Sequence, residues 1–352
     1  MEYGHGGDIY TYRGMLDFSV NVNPFGPSEQ VLEAARSSME LAGNYPDSRC
    51  RELKQRIGEK KSIPKEFIIA GNGAADLFFS LASAERPAKA VIPVPAFSEY
   101  ARALNTVGCE IQEYPLKKEN HFRLTEDFLH VLDQSIDMVF LCNPSNPAGQ
   151  STERKMLRKI AEKCQSRGIR LVVDECFIDF LSEPEAFTME GLAQEYSCLF
   201  VVHAFTKMHA IPGLRLGYGI TSDSALLEKM EKSRQPWSVS VPAQAAGIAA
   251  FTEEARIRMT RDYVRRERLR MEEILGEIGV EYIPSEANFI LIYSSKDLFR
   301  ILLDRGILIR DCANYSGLGK GWYRIAVKQK EENDRILEEI RRCMTSAILE
   351  QI

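Results

Sequence analysis

His203-Ala-Phe-Thr-Lys-Met-His-Ala-Ile-Pro-Gly-Leu-Arg-Leu-Gly217 follows directly on an apolar run, Cys198-Leu-Phe-Val-Val202. A short unbroken apolar run of this kind reads as a strand buried on both faces of a parallel sheet. Lys207 then lies just past the strand's carboxyl end, where open α/β sheets keep their ligand crevices. Arg215 follows, flanked by Gly213 and Gly217, which let the backbone turn tightly. A lysine in a protein-lined crevice loses hydration, which lowers its pKa and frees the amine as a nucleophile. Such an amine can form a Schiff base with an aldehyde cofactor, and a nearby arginine can hold that cofactor's phosphate. A solitary loop lysine is more often plain solvated surface, so this reading depends on the residues around it.

Working outward, strands are predicted at Phe67–Ala70, Ala90–Val94, Cys109–Tyr114, Met138–Cys142, Arg170–Val173, Cys198–Val202 and Leu214–Ile220. Helical stretches separate several of them. The clearest is Thr152 to Arg167, with Leu157, Ile160, Ala161 and Cys164 on one face and Gly168 as its terminator. The alternation from about residue 50 to 245 predicts an α/β fold, a mostly parallel sheet flanked by helices. Before it, residues 1–30 form an irregular arm rich in Gly, Asn and Pro, and 28–41 a helix capped by Ser28. Asn44-Tyr-Pro-Asp47 marks a turn. A charged helix over 253–279 bridges to a smaller α+β lobe. There, strands at Ala287–Tyr293, Ile307–Ile309 and Tyr323–Val327 alternate with helices at 295–305 and 331–349. The expected division is 1–43, arm and helix joining the smaller lobe; 44–250, the large cofactor-binding domain; and 251–352, the small C-terminal domain.

Composition narrows the function. The 352 residues, 45% of them hydrophobic, suffice for a large core. A net charge of −5 without any Lys/Arg-rich run argues against nucleic acid and anionic membranes as partners. No stretch of 18 uninterrupted apolar residues suggests a membrane span, and the first residues carry no cationic apolar leader. Eight cysteines lie scattered without a Cys-x-x-Cys pair, several inside apolar runs. Buried free thiols in a reducing cytoplasm are expected, with neither disulfides nor a metal site.

Four further pieces fall after strand ends. Ala70-Gly-Asn-Gly-Ala-Ala-Asp76 opens a helix with glycines, leaving the Gly73 and Ala74 N–H groups as donors to a phosphate. Its spacing is not that of a dinucleotide fingerprint. In Pro93-Val-Pro-Ala-Phe97, the aromatic could stack on a planar ring, although an ordinary core phenylalanine is the commoner case. Leu141-Cys-Asn-Pro-Ser-Asn-Pro-Ala-Gly149 places Asn146 in a rigid turn, with an amide for a cofactor hydroxyl. Leu171-Val-Val-Asp-Glu-Cys-Phe177 ends a Leu/Val strand in acid, and a buried carboxylate needs a cationic or hydrogen-bonding partner. Asp174 could pair with a protonated pyridine nitrogen, with Glu175 as the rival acid. Together these residues specify pyridoxal 5′-phosphate better than any one does alone.

At this point the chain resembles the fold-type I pyridoxal-phosphate enzymes of the aspartate aminotransferase superfamily, in the branch containing histidinol-phosphate aminotransferases. Its motifs are His5-Gly-Gly, Asp17-Phe-Ser-Val-Asn-Val-Asn-Pro24, Asp174-Glu-Cys-Phe-Ile-Asp-Phe180, Thr206-Lys-Met-His-Ala-Ile-Pro-Gly-Leu-Arg215, Pro236-Trp-Ser-Val239 and Ile309-Arg-Asp-Cys-Ala-Asn-Tyr-Ser-Gly-Leu318. Within that branch they look most similar to the threonine-phosphate decarboxylases of cobalamin biosynthesis, which turn O-phospho-L-threonine into (R)-1-amino-2-propanol O-phosphate. The resemblance implies Lys207 as the Schiff-base lysine, Asp174 at the pyridine nitrogen and Asn146 at the ring hydroxyl. It implies Gly73, Ala74, Thr206 and Arg215 around the cofactor phosphate and Phe97 on the ring face. It implies a homodimer in which Tyr45 reaches the partner's site. On the substrate side it implies Arg324 at the α-carboxylate, His5 and Arg310 at the phosphate, and Asn23 beside them.

Two departures stand out. Phe177 occupies a place where transaminases of the superfamily usually carry a tyrosine that hydrogen-bonds the ring hydroxyl, and where the decarboxylases it resembles also have phenylalanine. Ala204 replaces a phosphate-binding serine three residues before Lys207. Decarboxylation of a small phosphorylated amino acid is therefore expected. Histidinol-phosphate transamination, O-phospho-L-serine decarboxylation and a non-catalytic cofactor carrier or regulator are the competing readings.

Overall fold

The structure is a computed structural model and describes residues 4–349. In chain order the strands are β1 (Leu16–Asp17), β2 (Ile68–Gly71), β3 (Lys89–Val94), β4 (Glu110–Pro115), β5 (Met138–Cys142), β6 (Arg170–Asp174), β7 (Leu199–Ala204), β8 (Gly217–Ile220), β9 (Glu281–Ile283), β10 (Phe289–Tyr293), β11 (Ile307–Leu308), β12 (Arg310–Asp311) and β13 (Trp322–Ala326). The helices are α1 (Glu29–Ser37), α2 (Arg51–Lys61), α3 (Ala74–Glu85), α4 (Ser98–Asn105), α5 (Arg154–Arg167), α6 (Ser224–Ser233), α7 (Val241–Ala250), α8 (Glu254–Glu277), α9 (Leu298–Leu303) and α10 (Lys330–Leu349).

The seven-stranded sheet runs β2-β8-β7-β6-β5-β3-β4. β8 is antiparallel to both neighbours, and the other pairings are parallel. The apolar runs of β5, β6 and β7 are buried on both faces, between a core containing Leu157, Ile160 and Phe205 and another containing Phe78, Leu81 and Tyr100. β4 closes one edge with exposed Glu110, Glu113 and Pro115, which discourage pairing with another chain. Because β2, β3, β5, β6 and β7 point the same way, their carboxyl ends gather on one rim. That rim is where the candidate residues belong.

Helix boundaries follow local chemistry. The Ser28 hydroxyl accepts from Val31 N–H at 3.2 Å to start α1, and α5 ends on Gly168 at φ 72°. The strand expected from Leu214 begins only at Gly217, because Arg215 takes a left-handed φ of 59° in the turn before it. The helix expected over 295–305 is shorter, Leu298–Leu303, with Asp297 as its cap.

The smaller lobe has an antiparallel sheet, β12-β13-β10-β9, packed against α8 and α10. β9 and β12 were not anticipated; at three and two residues they carry no readable alternation. The expectation that 1–43 joins this lobe as one piece meets a more divided arrangement. β1 pairs in parallel with β11, whereas α1 packs on α7 and buries Val31 and Ala35 in the core under the large sheet. All eight cysteines are free thiols. Among the described residues, no helix is long and apolar enough to cross a membrane, and no His/Cys/Asp/Glu cluster suits a metal ion.

Candidate active site

β7 delivers Lys207 to the rim, three residues past its last position, Ala204. Desolvation and then the Arg324 guanidinium push its ammonium down to about 8, while Cys176 and Asp174 act in the opposite sense. Nζ lies 5.3 Å over the Phe177 ring. The turn is held from outside by the arm. Asn23 N–H donates to the Lys207 carbonyl at 2.9 Å, and Asn23 Nδ2 donates to Met208 O at 2.8 Å and Thr260 Oγ1 at 3.1 Å. Asn23 Oδ1 accepts from Phe25 N–H at 3.0 Å. Asn23 was expected beside the substrate. Its amide is buried, both Nδ2 hydrogens go to protein, and it supports the lysine turn.

Asp174 closes β6 and is 5% exposed. Oδ1 accepts from Cys176 N–H at 3.0 Å and Oδ2 from the Tyr100 hydroxyl at 2.5 Å. A carboxylate has about four acceptor positions, so a cationic N–H approaching from the crevice still finds room. Beyond β5, Asn146 is buried, and its Oδ1 accepts from Arg324 Nη1. Arg324, from β13, reaches across from the other lobe, donates to Ser19 O at 3.0 Å and lies 5.4 Å over the Phe289 ring. Its Nε is buried with no hydrogen-bond partner among the described residues. An unsatisfied buried donor costs about 1–3 kcal/mol, so an anion placed there would be held firmly.

Gly73, at φ 85°, precedes α3, which has no side-chain cap. The first N–H groups of α3 therefore remain available to an anion. A Cβ at Gly73 would sit 2.7 Å from Arg215 Nη2, and one at Gly217 would sit 2.8 Å from Ala74 N. The exposed Arg215 and the α3 N-terminus thus converge on one spot, with half-buried Thr206 in the turn between β7 and β8. Phe97 sits at the start of α4.

The substrate-side residues divide. His5 Nε2 lies 3.0 Å from Glu99 Oε1, and its ring is 6.2 Å from Phe97, so its nearest charged neighbour is an acid. Arg310 is buried, donates to Asp311 O at 2.7 Å and Asn314 Oδ1 at 2.8 Å, and lies 5.3 Å over the Tyr315 ring. His5 and Arg310 line the same cavity. Arg310 also stands directly opposite Arg324 in the β12–β13 ladder. Tyr45 is 80% exposed, stacked on Trp237 at 4.6 Å, and takes no part in the crevice of its own chain.

Some contributors escaped sequence reasoning. Tyr100 is one, although an aromatic three positions after Phe97 on a helix falls on the same face and was a usable signal. Ser19 contributes through its backbone carbonyl, which no residue pattern marks. Behind Asp174 lies a buried cluster in which His203 Nε2 is 2.9 Å from Glu190 Oε1 and 3.4 Å from Glu175 Oε2, and Lys61 is 2.8 Å from Glu190.

The arrangement fits a phosphorylated pyridine aldehyde. It offers an amine whose charge the site opposes, a held carboxylate, an uncapped helix start beside an arginine, and an arginine Nε awaiting an acceptor.

The profile of the aminotransferase class I and II family matches residues 13–340. A threonine-phosphate decarboxylase of Salmonella typhimurium is 37% identical over 335 residues, covering 94% of this chain and 92% of the relative. A histidinol-phosphate aminotransferase of Geobacillus thermodenitrificans is 31% identical over 336 residues, covering 94% and 90%. The crystal structure of the histidinol-phosphate aminotransferase from Clostridium acetobutylicum superposes with a TM-score of 0.88 at 27% identity, covering 94% of this chain and 100% of that one. With the profile spanning nearly the whole molecule, the chain belongs to the aminotransferase class I and II family.

Proposed function

We propose that this chain uses pyridoxal 5′-phosphate to decarboxylate O-phospho-L-threonine to (R)-1-amino-2-propanol O-phosphate, in cobalamin side-chain synthesis. The observation that carries the substrate class is the pair of buried arginines, Arg310 and Arg324, directly opposite on neighbouring strands. Like charges so placed repel one another, and a substrate carrying both a carboxylate and a phosphate relieves that repulsion. The decarboxylase relative at 37% identity supports the same choice.

When bound, the cofactor supplies an aldehyde that condenses with an amine and a cationic ring that accepts the electrons of a breaking bond. The protein's part is placement and proton handling. Asp174 faces the ring nitrogen and keeps its proton in place. Gly73, Ala74, Thr206 and Arg215 hold the cofactor phosphate, Phe97 covers the ring face, and Asn146 meets the ring hydroxyl. Arg324 grips the substrate carboxylate, a role that serves decarboxylation and transamination alike. Arg310, with His5 at the mouth, takes the phosphate. Lys207 Nζ, its ammonium pushed down to about 8 by desolvation and the Arg324 charge, returns a proton to the α-carbon after carbon dioxide leaves. Phe177 offers an apolar face to that amine and no hydroxyl to the ring. We further infer a homodimer in which Tyr45 reaches the partner's site, and a cytoplasmic setting in keeping with the free thiols.

Histidinol-phosphate transamination is the second reading, favoured by the 31% relative, and the same lysine, aspartate and arginine would serve it. The deciding experiment incubates purified holoenzyme with O-phospho-L-threonine, O-phospho-L-serine or histidinol phosphate plus 2-oxoglutarate, following carbon dioxide and transferred amine. Carbon dioxide from the phosphorylated hydroxy-amino acids is the expected result. Turnover of histidinol phosphate alone would overturn the proposal. Between phosphothreonine and phosphoserine, one methyl is worth about 1–3 kcal/mol, so a 10–200-fold preference is the most a pocket would give.

A further inference from the structure

We propose that Tyr100 is a positioning residue for the reaction, its hydroxyl fixing the Asp174 carboxylate in the orientation that meets the ring nitrogen. The inference rests on the pyridoxal-phosphate reading above. Tyr100 is 1% exposed. Its ring is boxed by Phe78 (5.0 Å, edge-on), Phe97 (5.7 Å, edge-on) and Phe140 (5.1 Å, stacked). Between these rings the hydroxyl meets Asp174 Oδ2 at 2.5 Å, with the Cys142 thiol as its other polar neighbour.

A buried phenol must place its O–H and a buried carboxylate must be compensated, and this contact does both. Burial and then the Asp174 charge push the phenol's pKa well up, so it keeps its proton and donates it to the carboxylate. With Cys176 N–H on the other oxygen, each end of the carboxylate is tied by one bond. Its plane is thereby fixed before any ligand arrives. One short helix, α4, presents the ring-covering residue Phe97 at its start and the aspartate's tether one turn later. Tyr100 itself touches neither ring nor substrate, so it acts through Asp174.

The test uses full-length chain with pyridoxal 5′-phosphate as the titrant. Tyr100→Phe keeps the ring and deletes only the hydroxyl. A hydrogen bond to a charged group is worth enough to weaken cofactor binding by about 10–100-fold, read as the dissociation constant from visible absorbance. The kcat should fall while KM for substrate stays within about threefold, since the substrate contacts are intact. In an Asp174→Asn background the same change should weaken cofactor binding by less than about threefold, because the group it acts through is gone. Phe78→Leu, which loosens the box but leaves the hydroxyl, should lower the melting temperature and leave cofactor affinity within about threefold.

Additive losses in the double variant would overturn the proposal. So would a Phe78→Leu loss of affinity equal to that of Tyr100→Phe, or a Tyr100→Phe chain that fails to fold, which would make the hydroxyl a structural group. If the unmodified chain binds no cofactor, the functional reading falls and takes this inference with it. If it binds and Tyr100→Phe binds equally well, only the inference falls.

Discussion

At Lys207 the crevice opposes a full positive charge, through desolvation first and the Arg324 guanidinium second. An ammonium held at about 8 in the fold, against an ordinary 10.5, binds its proton less tightly folded than unfolded. Below about pH 8 the charged lysine therefore destabilises the cofactor-free fold, and the penalty fades as pH rises toward 10.5. Lys207→Met should stabilise the cofactor-free protein near neutrality by on the order of 1–3 kcal/mol, allowing for the residue's partial exposure. Thermal unfolding at about pH 7 and about pH 10 checks this, with the gain shrinking at the higher pH. The same variant should lose all turnover. Lys207 and Asp174 were legible because a chemically able side chain ending an apolar strand has little packing reason to be there. Arg324 was not legible from its surroundings; its neighbours Tyr323 and Ile325 read only as strand, and resemblance alone singled it out.

The rim depends on how α3 begins. Gly73 adopts φ 85° with Arg215 packed where a side chain would go. Gly73→Ala should cost about 1–3 kcal/mol for a backbone conformation that essentially only glycine adopts and also displace the arginine. The expected outcome is a lower melting temperature together with at least tenfold weaker pyridoxal-phosphate binding, measured by absorbance titration. A change in stability alone would separate the glycine from the phosphate cradle.

The buried cluster between β6, β7 and α2 gives a second outcome. Desolvation pushes Glu175 up to about 7, with His203 opposing and Glu190 adding to the rise; Thr188 O–H and Met189 N–H are its hydrogen-bond donors. His203 is raised by Glu190 and Glu175 against desolvation and Lys61, while Glu190 is lowered by Lys61 and His203 against its own burial. Tyr218 and Asp179 face the same charges. Glu175 takes up a proton on folding, so its contribution to stability declines as pH rises from 4.5 toward about 7. His203 declines in the same direction, its contribution full below 6.5 and lost as pH passes its raised value. Glu190 works oppositely, and its contribution is present above 4.5. Glu175→Gln should therefore improve melting temperature relative to the parent more at about pH 8 than at about pH 5.5. Equal shifts at both would contradict this. Strands such as β5 and β6 were readable because two-sided burial writes a continuous apolar run. β1, β9 and β12 were not, since two or three residues cannot show a period.

Across the molecule, the exposed apolar side chains Met39, Leu41, Tyr45 and Trp237 have no counterpart in the chain's own core. Contiguous apolar surface marks a meeting place for another protein, and Tyr45 and Trp237 stack on one another at 4.6 Å outside the core. The inferred homodimer should give twice the mass of one chain by light scattering, and Trp237→Glu should shift it toward the single-chain mass with loss of activity. An unaltered mass would move the interface elsewhere. The inference of an interface at Tyr45 came from resemblance, because exposure is a property of the folded surface and not of residue order.

The meeting of Ser19 with Arg324 joins positions 305 residues apart, and among the described residues β1 has its only strand partner in β11. During synthesis the arm precedes these partners and must wait, unpaired, until β11 and β13 have been made. Early folding of the large sheet can prepare the lysine and the aspartate, but it cannot supply the guanidinium. A nascent chain is thereby denied a finished crevice, and competence arrives only once β13 has been made.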